Sequence, residues 1–120
     1  MEQNIKREPL GNGFFVNVSK HHTFGTDAVL LSHFAKAKPK DSLVDLGTGC
    51  GIIPFLWCRN GGGKEIYGVE IQTEAADLAA SSVVHNSLDN KVHIGNTDLH
   101  SRMYATIEEK KKSADDPEST

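Results

Sequence analysis

The sequence predicts an α/β fold, a doubly wound parallel sheet of three strands with helices between them, and an incomplete one. Three observations carry that expectation. Short apolar runs recur at Leu43-Val44-Asp45-Leu46, Glu65-Ile66-Tyr67-Gly68-Val69-Glu70 and Lys91-Val92-His93-Ile94, with helical patterns between them. Parallel neighbours cannot be joined by a tight turn, so strand, helix, strand, helix, strand is the order that crossover connections produce. The first passage from strand to helix is Gly47-Thr48-Gly49-Cys50-Gly51, with glycine at alternate positions. Such a turn suits a backbone that bends tightly and lies close to a ligand.

The elements follow in order. Met1 to Pro9 is polar and without periodicity, which predicts a flexible leader over residues 1–10. Gly11-Asn12-Gly13 is turn chemistry, and Phe14 to Val18 is a short strand after it. Phe24 to Ala35 reads as a helix in which Thr26 or Asp27 supplies the N-terminal cap. Apolar on nearly every face, that helix is expected to be buried. Lys36 to Asp41, with Pro39, closes it. Leu43 to Leu46 is the first buried strand, and Ile52 to Cys58 a helix packed on the sheet. Asn60-Gly61-Gly62-Gly63 ends that helix with residues that tolerate positive φ. After the Glu65–Glu70 strand, Thr73 can cap a helix whose Ala75, Leu78, Ala79, Ser82 and Val83 share one face. Asn86 to Asn90 is a turn before the last strand. Residues 11–99 thus make one nucleotide-binding type of domain. Over 100–120, with Leu99, Met103 and Ile107 at helical spacing and a charged stretch after Glu108, a short helix and a disordered tail are expected. Three strands leave Leu43–Leu46 as an apolar edge, which invites pairing with a second chain or a dimer mate, aggregation, or marginal stability.

Composition narrows the classes. The chain has 120 residues, 24% of them charged, with a formal net charge of -3, so no global field draws it to nucleic acid. Two cysteines, Cys50 and Cys58, make no disulfide framework, and no apolar signal segment begins the chain. Reduced thiols in a cytoplasmic protein are the simpler reading. No apolar run is long enough to span a bilayer. His21-His22 lacks the spacing of a metal site, since adjacent residues rarely converge on one ion. His85, His93 and His100 share no catalytic spacing, and Lys110 to Lys112 read as a solvated face. Cys50 fits the turn as a small residue. Asp89 reads as structural.

The glycine loop carries the chemistry. Glycines permit the turn and a close ligand approach, and the helix start after them offers free N–H groups and a positive dipole end. The spacing is Gly-x-Gly-x-Gly rather than the Gly-x-Gly-x-x-Gly of dinucleotide binders. Asp45 stands two residues before the first glycine, where its charge would repel a pyrophosphate. It suits a ligand bearing an ammonium group, such as the methionine part of S-adenosylmethionine. Glu70 ends the neighbouring strand, where a carboxylate can accept from both ribose hydroxyls. Asp98, just past the third strand, can accept from the adenine amine. The three acids follow successive strands and would line one crevice at the carboxyl edge of the sheet. A nicotinamide-binding domain is disfavoured by the same spacing and by Asp45.

Phe24-Gly25-Thr26-Asp27-Ala28-Val29-Leu30-Leu31, Val44-Asp45-Leu46-Gly47-Thr48-Gly49-Cys50-Gly51-Ile52-Ile53-Pro54 and Gly68-Val69-Glu70-Ile71-Gln72, continuing through Ala79, Ser82-Val83 and Asn86, resemble the bacterial tRNA1(Val) adenine-37 N6-methyltransferase family. The likeness runs from Gly11 to Leu99. It implies a Rossmann-like class I methyltransferase fold, S-adenosyl-L-methionine as cofactor, and tRNA as partner. By position it implies that Asp45, Gly47, Thr48, Gly49 and Gly51 meet the amino-acid part of the cofactor. Glu70 would hold the ribose, Ile71 would pack on the adenine, and Asp98 would bind its amine. Thr26 and Asp27 would close the methionine end. That family also carries Asn-Pro-Pro-Tyr, whose Asn and Pro hold the target amine while the Tyr stacks on the extruded base. Here the only proline after Pro54 is Pro117. The expectation is a truncated copy that transfers no methyl group unaided, so no catalytic residue is assigned. The rival expectation is a non-catalytic binding module acting as a partner subunit.

Overall fold

The structure, a computed structural model, describes residues 4–97. Strands β1 (Lys6–Gly11) and β2 (Phe14–Val18) form an antiparallel hairpin. Asn12 and Gly13 at its tip have φ of 54° and 81°. Two successive positive φ values match the right-handed twist of the strands they join. The leader expected over residues 1–10 is therefore corrected from Lys6 onward. Lys6 pairs with Val18 and Glu8 with Val16. An outer strand of a two-stranded ribbon is held through its backbone, so its side chains need show no apolar period. The Arg7 guanidinium lies 4.2 Å from the Phe15 ring centroid and adds a cation–π contact to the pairing.

Helix α1 (Thr26–Phe34) leads into the second sheet, which alternates β3 (Ser42–Leu46), α2 (Ile52–Arg59), β4 (Glu65–Glu70), α3 (Thr73–His85) and β5 (Val92–Asn96). All three strands are parallel in the order β3-β4-β5, so among the described residues β3 is an edge, as its sequence position predicts. Leu43, Ile66 and Val92 stand level on one face. Against it Phe55 and Leu56 of α2 and Leu78 and Val83 of α3 build the core. The predicted apolar face of α3 is buried throughout, at Ala75, Leu78, Ala79, Ser82 and Val83. Alternation sends Val44 and Leu46 to the opposite face, where each is 46% exposed.

The hairpin is bolted to α3 by polar side chains. The Asn86 amide accepts from the Phe15 N–H (3.0 Å) and donates to the Phe15 carbonyl (2.7 Å), as a neighbouring strand would. Buried Ser82 accepts from the Asn17 N–H at 2.8 Å.

Helix α1 departs from expectation twice. Gly25 is its N-cap and no side chain caps it, so neither Thr26 nor Asp27 does. Nor is the helix buried: Leu30, Leu31 and Phe34 are 53%, 56% and 80% exposed, and within α1 only Ser32 is buried. Ala28 and Val29 pack on the core, and the Trp57 indole of α2 donates to the Ala35 carbonyl at 2.8 Å, so one side of the helix is covered. Among the described residues nothing covers the rest. Thr73 likewise does not cap α3. Gln72 is the N-cap, and the Thr73 hydroxyl donates to Asn96 Oδ1 at 3.2 Å.

Candidate functional site

The carboxyl ends of β3 and β4 meet at the glycine loop. Gly47, Gly49 and Gly51 have φ of 72°, 58° and 91°. All three occupy the left-handed region that side chains resist, which explains the alternate spacing. The Gly47 and Thr48 N–H groups both donate to the Val69 carbonyl, at 2.8 and 3.0 Å, so the loop folds over the end of β4. A Cβ on Gly51 would lie 2.7 Å from Phe55 and 3.2 Å from Ala79, so this glycine also lets α2 and α3 approach. At Gly47 and Gly49, by contrast, a Cβ would meet nothing within 4 Å. There the bare backbone faces open space, and a ligand can lie against it.

Two carboxylates flank that space. Asp45 accepts from the Thr48 hydroxyl at 2.7 Å through Oδ2; among the described residues its Oδ1 accepts no hydrogen bond. Burial pushes the Asp45 carboxyl above its ordinary value; the Thr48 hydrogen bond pulls the other way, and the charge of Glu70 adds to the rise. A group held in that condition gains from a cationic partner. Glu70, 8% exposed, accepts from the Gly49 N–H through Oε1 and from the Gln72 N–H through Oε2, both at 2.9 Å. A carboxylate offers about four acceptor positions, so each oxygen keeps one for a further donor. Beyond Glu70, Ile71 is 63% exposed and presents an apolar surface beside the acid.

The structure thus gathers Asp45, Gly47, Thr48, Gly49, Gly51, Glu70 and Ile71 at one edge. Thr26 and Asp27 lie in the exposed first turn of α1, and no hydrogen bond ties their side chains to that group. Asp98 lies outside the described residues. Asn96 escaped the sequence reading: its Nδ2 donates to the Glu70 and Ile71 carbonyls at 3.1 and 3.3 Å, bracing the turn after β4. An Asn at a strand end gives no local signal of a bond across 25 residues of sequence. Cys50 is buried in the loop, and burial pushes its thiol pKa up, which fits a small packing residue rather than a reactive thiolate.

Among the described residues no cluster of three metal-ligating side chains occurs, and no helix is long and apolar enough to cross a membrane.

A family model described as methyltransferase small domain matches residues 16–111. The chain is 30% identical over 107 residues to a Yersinia enterocolitica protein named tRNA1(Val) (adenine(37)-N6)-methyltransferase, covering 82% of this chain and 43% of that protein. It therefore spans less than half the length of that relative. Among solved structures, Methanocaldococcus jannaschii Trm5 in complex with adenosine superposes with a TM-score of 0.63 at 19% identity, covering 82% of this chain and 31% of the other. A Streptomyces coelicolor geranyl diphosphate C-methyltransferase, solved with S-adenosyl-L-homocysteine, gives 0.52 at 27% identity over 61% of this chain and 27% of its own.

Proposed function

The chain belongs to the methyltransferase small domain family, and from that premise we propose that residues 11–99 form the S-adenosylmethionine-binding part of a methyltransferase. The observation that carries the proposal is the pair of carboxylates across one glycine bend: Asp45 steadied by Thr48, and Glu70 bonded to Gly49. The residues fit the cofactor chemically. The free Oδ1 of Asp45 suits the methionine ammonium, while the remaining positions on Glu70 suit the two ribose hydroxyls. Exposed Ile71 suits the flat face of adenine, and the open space over Gly47 and Gly49 admits the chain between them. Two acids beside the opening disfavour a pyrophosphate, whose charge both would repel. Thr26, Asp27 and Asp98 are assigned to the same site by resemblance.

When bound, the cofactor supplies an electrophilic methyl group on a sulfonium. What the described residues do is bind and orient it. Asp45 and Thr48 hold the amino-acid end and Glu70 holds the ribose, with Thr48 and Glu70 themselves buried at 4% and 8% exposure. We assign the exocyclic amine of an adenine in tRNA as the methyl acceptor, by likeness to the relative named for that reaction. The 120 residues contain no Asn-Pro-Pro-Tyr, so the groups that hold an acceptor amine are assigned outside them.

The test is titration of labelled S-adenosylmethionine into the purified chain, beside Asp45→Ala and Glu70→Ala. A hydrogen bond to a charged group contributes about 1.5–3 kcal/mol, so each variant should weaken binding by about tenfold or more. Equal binding by both variants would remove the assignment. Incubation with unmodified tRNA and labelled cofactor should transfer no methyl group; transfer by this chain alone would overturn the placing of the acceptor groups.

A further inference from the structure

We propose that Gly68 is a positioning residue of the cofactor site: the absent side chain on β4 lets Thr48 tuck beneath the glycine loop and aim the Asp45 carboxylate. The inference rests on the cofactor reading above and extends it to a residue outside the glycine loop.

Gly68 sits in the central strand, level with Asp45 on β3 and Ile94 on β5. Its φ is not positive, so the backbone does not require glycine there. Glycine weakens a strand interior and calls for a reason, most often the close approach of another group. A Cβ at this position would stand 3.0 Å from Ile94 Cδ1, from Thr48 Cγ2 and from Thr48 Oγ1. Ile94 meets it with the far end of a flexible side chain and can give way. Thr48 cannot retreat as a whole. Its N–H donates to the Val69 carbonyl at 3.0 Å, its carbonyl accepts from the Gly51 N–H at 2.9 Å, and the residue is 4% exposed. The remaining freedom is rotation about χ1, which carries Oγ1 away from its 2.7 Å bond to Asp45 Oδ2. A methyl group at 68 is therefore transmitted through Thr48 to Asp45 without touching either carboxylate oxygen.

The geometry makes a specific double-variant prediction. The clash at 68 has two parts, the Thr48 methyl and the Thr48 hydroxyl, and only the hydroxyl serves Asp45. Replacing Thr48 by serine removes the methyl half of the clash and keeps the donor, so it should undo part of the effect of an added Cβ. The experiment is S-adenosylmethionine titration into the full chain for the wild type, Gly68→Ala, Gly68→Ala with Thr48→Ser, and Thr48→Val, with thermal melts to follow folding. Gly68→Ala and Thr48→Val should each raise the Kd about tenfold, as loss of a hydrogen bond to a charged group does. The double variant should recover part of that loss. In both single variants the pH at which binding strengthens should move upward, because the Asp45 carboxyl has lost the donor that lowered its pKa. If Gly68→Ala does not fold, Thr48→Val, which keeps the side-chain shape, decides. Gly68→Ala binding like the wild type, a double variant no tighter than Gly68→Ala, or a folded Thr48→Val with unchanged Kd would each overturn the inference alone. A wild-type chain that takes up no S-adenosylmethionine would overturn the cofactor reading and this inference with it.

Discussion

Asp45 carries the sharpest consequence of the site's chemistry. Its carboxyl is held above the ordinary value by burial and by the nearby Glu70 charge. A raised folded value means that the folded chain binds this proton more tightly than the unfolded one. At pH below the unfolded value the group is neutral in both states. As pH rises from there through the raised value, the ionised form becomes a cost to the fold, and the cost is complete above that value. The ligand-free chain should therefore lose stability across that window, and Asp45→Asn should flatten the loss, melting a few degrees higher near neutral pH. Binding should follow the opposite course, with S-adenosylmethionine affinity strengthening as pH climbs through the same window while Asp45→Asn binds weakly throughout. Melting curves and titrations over a pH series read both, and a variant neither more stable nor poorer in binding would contradict the account. These residues were legible because the motif is local: Asp45, the three glycines and Thr48 lie within seven positions, and Glu70 ends the next apolar run. Gly68 lies in a segment that carries the resemblance, but its role and that of Asn96 rest on strand register and contacts across the sheet, which no spacing in the sequence announces.

At the scale of elements, the joint between the hairpin and α3 is the most testable. The Asn86 side chain satisfies both backbone groups of Phe15. Asn86→Ala would strip both partners at once and should lower stability by about 1–3 kcal/mol, measured by urea unfolding. Asn86→Ala should leave cofactor binding little changed, because the joint lies away from the glycine loop. Unchanged stability would mean that the hairpin adds nothing to the fold. The strands and helices of the parallel sheet were readable from apolar runs and helical spacing. Strand β1 was not, because a strand at a ribbon's edge keeps its side chains in water and needs no apolar alternation. The burial of α1 was misjudged for the converse reason. Leu30, Leu31 and Phe34 are apolar but exposed, and apolar composition tells only that a helix can be buried.

At the scale of the whole molecule, the described residues leave the edge and outer face of β3 open. Val44 and Leu46 lie there, and among the described residues the strand has a neighbour on one side only. Unpaired backbone beside apolar side chains is a template for another strand. The chain should therefore associate as its concentration rises, and Val44→Lys should reduce that association; light scattering over a dilution series would show it, and a compact monomer at all concentrations would contradict it. The central claim is that the bend between β3 and β4 cradles an adenosyl sulfonium. Its most direct test is amide NMR of the labelled chain during addition of S-adenosylhomocysteine, with NAD added to a second sample. The account predicts that the Gly47, Gly49 and Gln72 resonances shift with the first ligand and stay in place with the second; no movement at these amides, or movement with NAD alone, would contradict it.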